Sequence, residues 1–176
     1  MEKSNKQFVQ TLCINAVMIA LFFALDMLSV KIGNNAKITF SGLPIILSAV
    51  FFGPLVGATV GGLGSLLSQL YGFGIGVTTV LWIVPAIVRG LVVGFLYRRF
   101  GKKFLGVNII LSSVIVSALN TLVSFVDSHI FGYYNPVTFL TAIAPRFLMG
   151  ILTAVAYCIV IYPLLTPVDK VLKKIR

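Results

Sequence analysis

Apolar residues run nearly unbroken through six stretches of the chain, with short polar clusters between them. A helix rises 1.5 Å per residue and needs about 20 residues to cross hydrocarbon. On that measure the pattern predicts spans over 8–30, 39–53, 55–71, 79–97, 106–127 and 137–165. The second is short, so a tilt or a locally thin bilayer is expected there. The breaks carry turn chemistry: "GNNAK", "FGP", "YGFGIG" and "GYYNP" each place glycine, asparagine or proline where a helix must stop or start. Within the spans the apolar residues encircle the helix, which excludes an amphipathic helix lying on a membrane surface.

Composition agrees with lipid as the solvent. The chain has 176 residues, 59% of them hydrophobic and 10% charged, and its mean hydropathy is +1.06. Soluble domains carry roughly a quarter charged residues. The length suits one compact all-α membrane domain over 1–176, a bundle of six helices. The opening "MEKSNKQFVQ" precedes an apolar run without a small-residue cleavage site, so it reads as a retained first span. Cys13 and Cys158 fall in apolar spans and read as small core residues, neither disulfide nor metal ligands.

Charge gives direction. Lys3 and Lys6 precede the first span, and Arg98, Arg99, Lys102 and Lys103 separate the fourth from the fifth. Lys170, Lys173, Lys174 and Arg176 follow the sixth. With six spans all ten lie on one side, which the positive-inside rule makes cytoplasmic, together with both termini. Only Lys31 and Lys37 lie in an outer loop. The net charge of +10 is thus accounted for by topology and gives no support to nucleic-acid binding. The tail "TPVDKVLKKIR" is expected to lie along the inner surface among anionic lipids.

Two kinds of residue stand out within the spans. Small residues repeat every fourth position: Ala16, Ala20 and Ala24 on the first helix, Gly53, Gly57, Gly61 and Ser65 around the third, Gly90 and Gly94 on the fourth. Such stripes let helix backbones approach closely. The glycine stripes suit internal packing, and the alanine stripe suits either packing or docking of another membrane protein. Polar residues at depth are the second kind. Arg89 and Arg146 lie about 14–15 Å from the outer ends of their spans and Asn120 about 10 Å. An arginine there costs about 2.5–3.5 kcal/mol or more, so it should face the interior and a partner. Asp26 and Asp127 lie at outer ends, with Trp82 one turn down the fourth span. Either carboxylate can neutralise an arginine, leaving the other arginine for an anionic ligand; Asp26 can also hold Lys31 or Lys37. Tyr133 and Tyr134 suit interfacial anchors or a ligand cap. His129 has no second ligand near it in sequence, so a metal site is not expected.

No nucleotide-binding lysine follows the glycines of "GATVGGLGSLLS", and no catalytic set appears at a usable spacing. An enzyme is therefore not expected. An autonomous carrier or channel and a structural membrane subunit stay open.

The stretch "KITFSGLPIILSAVFFGPLVGATVGGLGSLLSQLYG", residues 37–72, resembles the second and third helices of the substrate-binding S components of energy-coupling factor (ECF) transporters. The alanine stripe looks like the AxxxA face of that family's first helix, and length, span number and basic ends agree over the whole chain. The resemblance implies a subunit that captures a water-soluble vitamin from outside. It then docks on a module of one transmembrane coupling protein and two ATPases, topples in the bilayer and releases the vitamin inward. ATP is used by those partners, and the chain binds no cofactor of its own. By the same resemblance Ala16, Ala20 and Ala24 form the docking face. The ligand site is implied to hold Lys37, Thr79, Trp82, Arg89, Asn120, Ser124, Tyr133, Tyr134 and Arg146. "VPAIVRG" and "APRFLMG" look like the pantothenate branch, with folate or a pyridoxine-type vitamin as alternatives.

Overall fold

The clusters "FGP", "YGFGIG" and "GYYNP" become helix boundaries, whereas "GNNAK" falls at a pair of strands. In the computed structural model, the backbone of residues 2–32 and 36–175 and the side chains of 9–29 and 38–167 are described. Six α-helices are found among them: α1 (Glu2–Met27), α2 (Gly42–Phe51), α3 (Pro54–Gly72), α4 (Thr79–Phe100), α5 (Leu105–Ile130) and α6 (Pro136–Ile175). Between α1 and α2 lie two short strands, β1 (Val30–Ile32) and β2 (Ala36–Ile38), paired antiparallel with Lys31 opposite Lys37. The first loop is therefore a hairpin, although its turn residues 33–35 lie outside the described residues.

Four helices, α1, α4, α5 and α6, contain stretches long and apolar enough to cross a membrane, and α2 is apolar but short. Proline and glycine set the ends. Pro54 opens α3, where its missing N–H costs nothing, and Gly53 before it has φ +107°. Gly101 closes α4, its N–H donating to Tyr97 O over 2.8 Å. Asn135 caps α6, accepting from the N–H of Val137 at 3.0 Å. That last helix differs from expectation. It runs 40 residues through Pro145, Pro163 and Pro167, so the basic tail continues α6 and does not form a separate surface segment.

α3 packs most extensively against α4. The reason is the glycine stripes. A Cβ on Gly90 would strike the backbone of Gly57 and Ala58, one on Gly94 would strike Pro54, and one on Gly61 would strike Ala86 O. A second core joins α2, α4, α5 and α6 through Ile46, Val93, Ile109, Tyr157 and Ile161. α1 packs mainly against α2 and α3, with Phe22 seated on Gly64. Val17, Leu55, Leu122 and Ile159 point outward, as side chains facing lipid must. Cys13 is exposed, which corrects its reading as a core residue: among the described residues nothing covers that side of α1. Cys158 is partly buried, and neither forms a disulfide.

Candidate functional site

The helix ends sort by chemistry. Arg98, Arg99, Lys102 and Lys103 sit at the C-terminal end of α4 and the turn that follows, close to the α2–α3 junction, where Gly53 abuts Arg98. At the opposite end the C-termini of α1, α3 and α5 meet the N-termini of α4 and α6. A cavity of about 1030 Å³ opens there, running from the loop after α3 down to Arg89, Thr153 and Tyr157.

Its floor is built from α2, α4 and α6. Arg89 lies ten residues down α4 from Thr79, and its guanidinium carbon is 5.7 Å from the centroid of the Tyr157 ring. Tyr157 is 1% exposed and donates to Thr39 O over 2.8 Å, so it holds still. Gly42 leaves the room that Arg89 occupies: a Cβ there would collide with Arg89 Nη1. Arg89 Nε is buried without a hydrogen-bond partner. On the α1 side, Thr39 Oγ1 donates to Asp26 Oδ1 over 3.3 Å.

The mouth is held by Asp127. Its carboxylate accepts from Trp82 Nε1 at 3.4 Å, from the Tyr133 hydroxyl and from the Thr78 side chain. Asp127 thus ties α4, α5 and the α5–α6 loop together. Hydrogen bonding to that carboxylate pushes the Tyr133 phenol up to about 12. Arg146 Nη2 donates to Ser124 Oγ at 3.0 Å. A smaller pocket of about 340 Å³ lies beyond, sharing Trp82, Tyr133 and Arg146 with the main cavity.

Thr79, Trp82, Arg89, Asn120, Tyr133 and Arg146 all line the main cavity. Thr79 also serves the backbone, its hydroxyl accepting from Gly76 N–H at 2.8 Å. Ser124 and Tyr134 line the smaller pocket instead. Tyr134 stacks in a cluster with His129, Phe125 and Phe139, away from the floor. The Lys37 side chain lies outside the described residues. The expected pairing of arginine with aspartate is not made among the described residues, because neutral donors hold Asp127 and Arg146 turns to Ser124. Asp26 faces Thr39; the lysines proposed for it lie outside the described side chains.

The sequence reading missed Tyr157, Thr39, Ser65, Ser68 and Gln69 as lining residues. Ser65, Ser68 and Gln69 carried a signal, since a helix that spans lipid keeps such residues only on a buried or wetted face. Tyr157 and Thr39 carried none. Ala16, Ala20 and Ala24 are exposed along one side of α1.

Known proteins place this architecture. The family described as ECF-type riboflavin transporter, S component, matches residues 6–173. Among solved structures the chain is similar to the S component of a bacterial ECF transporter, with a TM-score of 0.69 at 19% identity, covering 90% of this chain and 97% of that one. No curated protein sequence matches. The pantothenate reading of "VPAIVRG" and "APRFLMG" finds no support in the family match, whose description points to riboflavin.

Proposed function

Since this chain belongs to the family of ECF-type riboflavin transporter S components, we propose that it captures a riboflavin-type vitamin at the outer face of the cell membrane. Membership makes it a substrate-capture subunit of a transporter. In our reading the ATP chemistry sits in two partner ATPases, and a transmembrane coupling protein receives α1. The basic helix ends face the cytoplasm together with both termini, which turns the cavity outward.

The observation that carries this reading is the cavity itself, about 1030 Å³ and placed away from the basic end. Small-molecule sites commonly measure 300–1,000 Å³, so there is room for a three-ring heterocycle and its side chain. Trp82 offers a flat face, fixed through its indole N–H on Asp127. Ser65, Ser68 and Gln69 offer hydrogen bonds suited to a polyol, and the Ser68 hydroxyl is buried without a partner.

The test is mass spectrometry of the small molecule that co-purifies, followed by calorimetry of the stripped protein with riboflavin. Tight binding without transport by the chain alone is expected. Uptake into proteoliposomes containing this chain but no ATPase overturns the reading in favour of an autonomous carrier.

A further inference from the structure

We propose that the smaller pocket is a second binding site, an outer subsite where the flat, uncharged ring of the vitamin docks before it enters the main cavity. The proposal rests on the capture reading above and adds a route of entry to it.

The pocket has room for a ring and for little more. Its volume of about 340 Å³ is near the lower bound for small-molecule sites, against about 1030 Å³ for the main cavity. Trp82, Tyr133, Tyr134 and Phe139 give it aromatic walls, and Ser128 and Thr138 add hydrogen-bonding groups. Aromatic faces and edges of this kind suit a planar heterocycle.

The walls differ in how firmly they are held. Tyr134 and Phe139 are braced, each with its ring centroid 5.5 Å from that of Phe125, and Tyr134 lies 4.2 Å from His129. Trp82 is fixed by its indole N–H on Asp127. Trp82, Tyr133 and Arg146 line both pockets, so they form the partition between them. Arg146 donates to Ser124 at 3.0 Å and so stays with α5. Tyr133 is the part that can move: it lies in the α5–α6 loop, is 60% exposed and donates to Asp127. When it swings away, Trp82 and Thr78 still donate to the Asp127 carboxylate. No buried acceptor is stranded, which keeps the opening inexpensive. A ring resting on Tyr134 and Phe139 can then pass along Trp82 into the main cavity, exchanging one aromatic contact for another.

Lumiflavin, the flavin ring without its polyol chain, probes the subsite by equilibrium dialysis on the full chain in detergent. With one equivalent of riboflavin held in the main cavity, one further equivalent of lumiflavin should bind. Phe139→Ala should weaken that second equivalent by about tenfold, the scale of a lost aromatic contact. Riboflavin affinity should stay as it was, which also shows that the variant is folded. Entry is tested at Thr138, an exposed residue of the pocket lining. Thr138→Cys, in a chain carrying Cys13→Ser and Cys158→Ser, is capped with benzyl methanethiosulfonate, which a reducing agent removes. The cap should slow riboflavin association and release by a common factor of about ten or more, leaving affinity unchanged, and reduction should restore both rates. No second equivalent of lumiflavin, a second equivalent indifferent to Phe139→Ala, or association indifferent to the cap each overturns the proposal and leaves vitamin capture standing. Failure of riboflavin itself to bind overturns both.

Discussion

Gly42 and Arg89 occupy one another's space: the guanidinium lies where a side chain at position 42 would begin. A Cβ there would also stand 2.7 Å from Tyr157 Oη, and that ring is buried and hydrogen-bonded to Thr39. Arginine can swing away; the tyrosine cannot. Gly42→Ala is therefore expected to displace Arg89 from the floor and to cost about 1–3 kcal/mol in stability, as overpacking usually does. Thermal unfolding in detergent reads the second effect and calorimetry the first. Wild-type affinity for the ligand would show that Arg89 does not need its present position.

The α3–α4 seam makes a sharper demand, because its clashes are with backbone. A Cβ on Gly90 would stand 2.5 Å from Ala58 N and meet the Gly57 carbonyl. Neither can rotate away. Gly62 differs, since its nearest neighbour is the flexible Ile87 side chain at 3.2 Å. Gly90→Ala should lower the melting temperature strongly, losing about 1–3 kcal/mol or more, whereas Gly62→Ala should change it little. Equal effects would mean that α3 and α4 do not meet in this register.

Tyr133 is the movable part of the mouth. It is 60% exposed, lies in the α5–α6 loop and donates to Asp127. Its folded pKa, about 12, exceeds the usual 10, so the contact's contribution is complete below pH 10 and fades as pH rises towards 12. Ligand retention should thus be flat between about pH 7 and 9 as far as this contact is concerned. Tyr133→Phe should loosen the mouth by about 1 kcal/mol, or about fivefold in dissociation rate, after allowing for exposure. Stopped-flow release of bound vitamin decides it; an unchanged rate removes Tyr133 from the closure.

How much of this was legible in the chain varies with the physics involved. Six helices were legible as apolar runs bounded by turn residues, and four of them are long and apolar enough to cross a membrane. The stripes of Gly57 with Gly61 and of Gly90 with Gly94 marked internal packing, but that they face one another emerges only from the fold. The deep positions of Arg89 and Arg146 announced a polar interior, and both line the cavity. Partner choice was not legible. Whether Arg146 would turn to Asp127 or to Ser124 depends on a distance of a few ångströms between α5 and α6, which no spacing along one helix encodes. Tyr157 was hidden for another reason: a tyrosine in an apolar helix reads as an interfacial anchor until the Thr39 carbonyl that receives its hydroxyl is seen. The continuity of α6 past Pro163 and Pro167 was also unreadable, since proline in a membrane helix is tolerated when neighbours re-satisfy the backbone.

α1 presents the clearest division of labour between two faces. One face is committed: Phe22 is 5% exposed on Gly64 of α3, with Met18 and Ile19 packed beside it. The other face carries Ala16, Ala20 and Ala24, all exposed. Lipid alone gives no reason to keep that face smooth, since leucine is more apolar than alanine and nearly as good a helix former. A second helix does give one, because small residues let two backbones approach and gain dispersion contacts. Family membership points to a partner, the rest of an ECF transporter module. Replacing Ala16 and Ala20 together by Trp should abolish co-purification with that module and ATP-driven uptake. Vitamin binding to the isolated chain should survive, because the cavity is lined from α1 only at Phe22, Asp26 and Met27. Full uptake by the double variant would place the docking face elsewhere. Loss of binding as well would mean that the tryptophans had disturbed the bundle, and Ala16→Leu with Ala20→Leu, which adds bulk without a ring, then decides between the two.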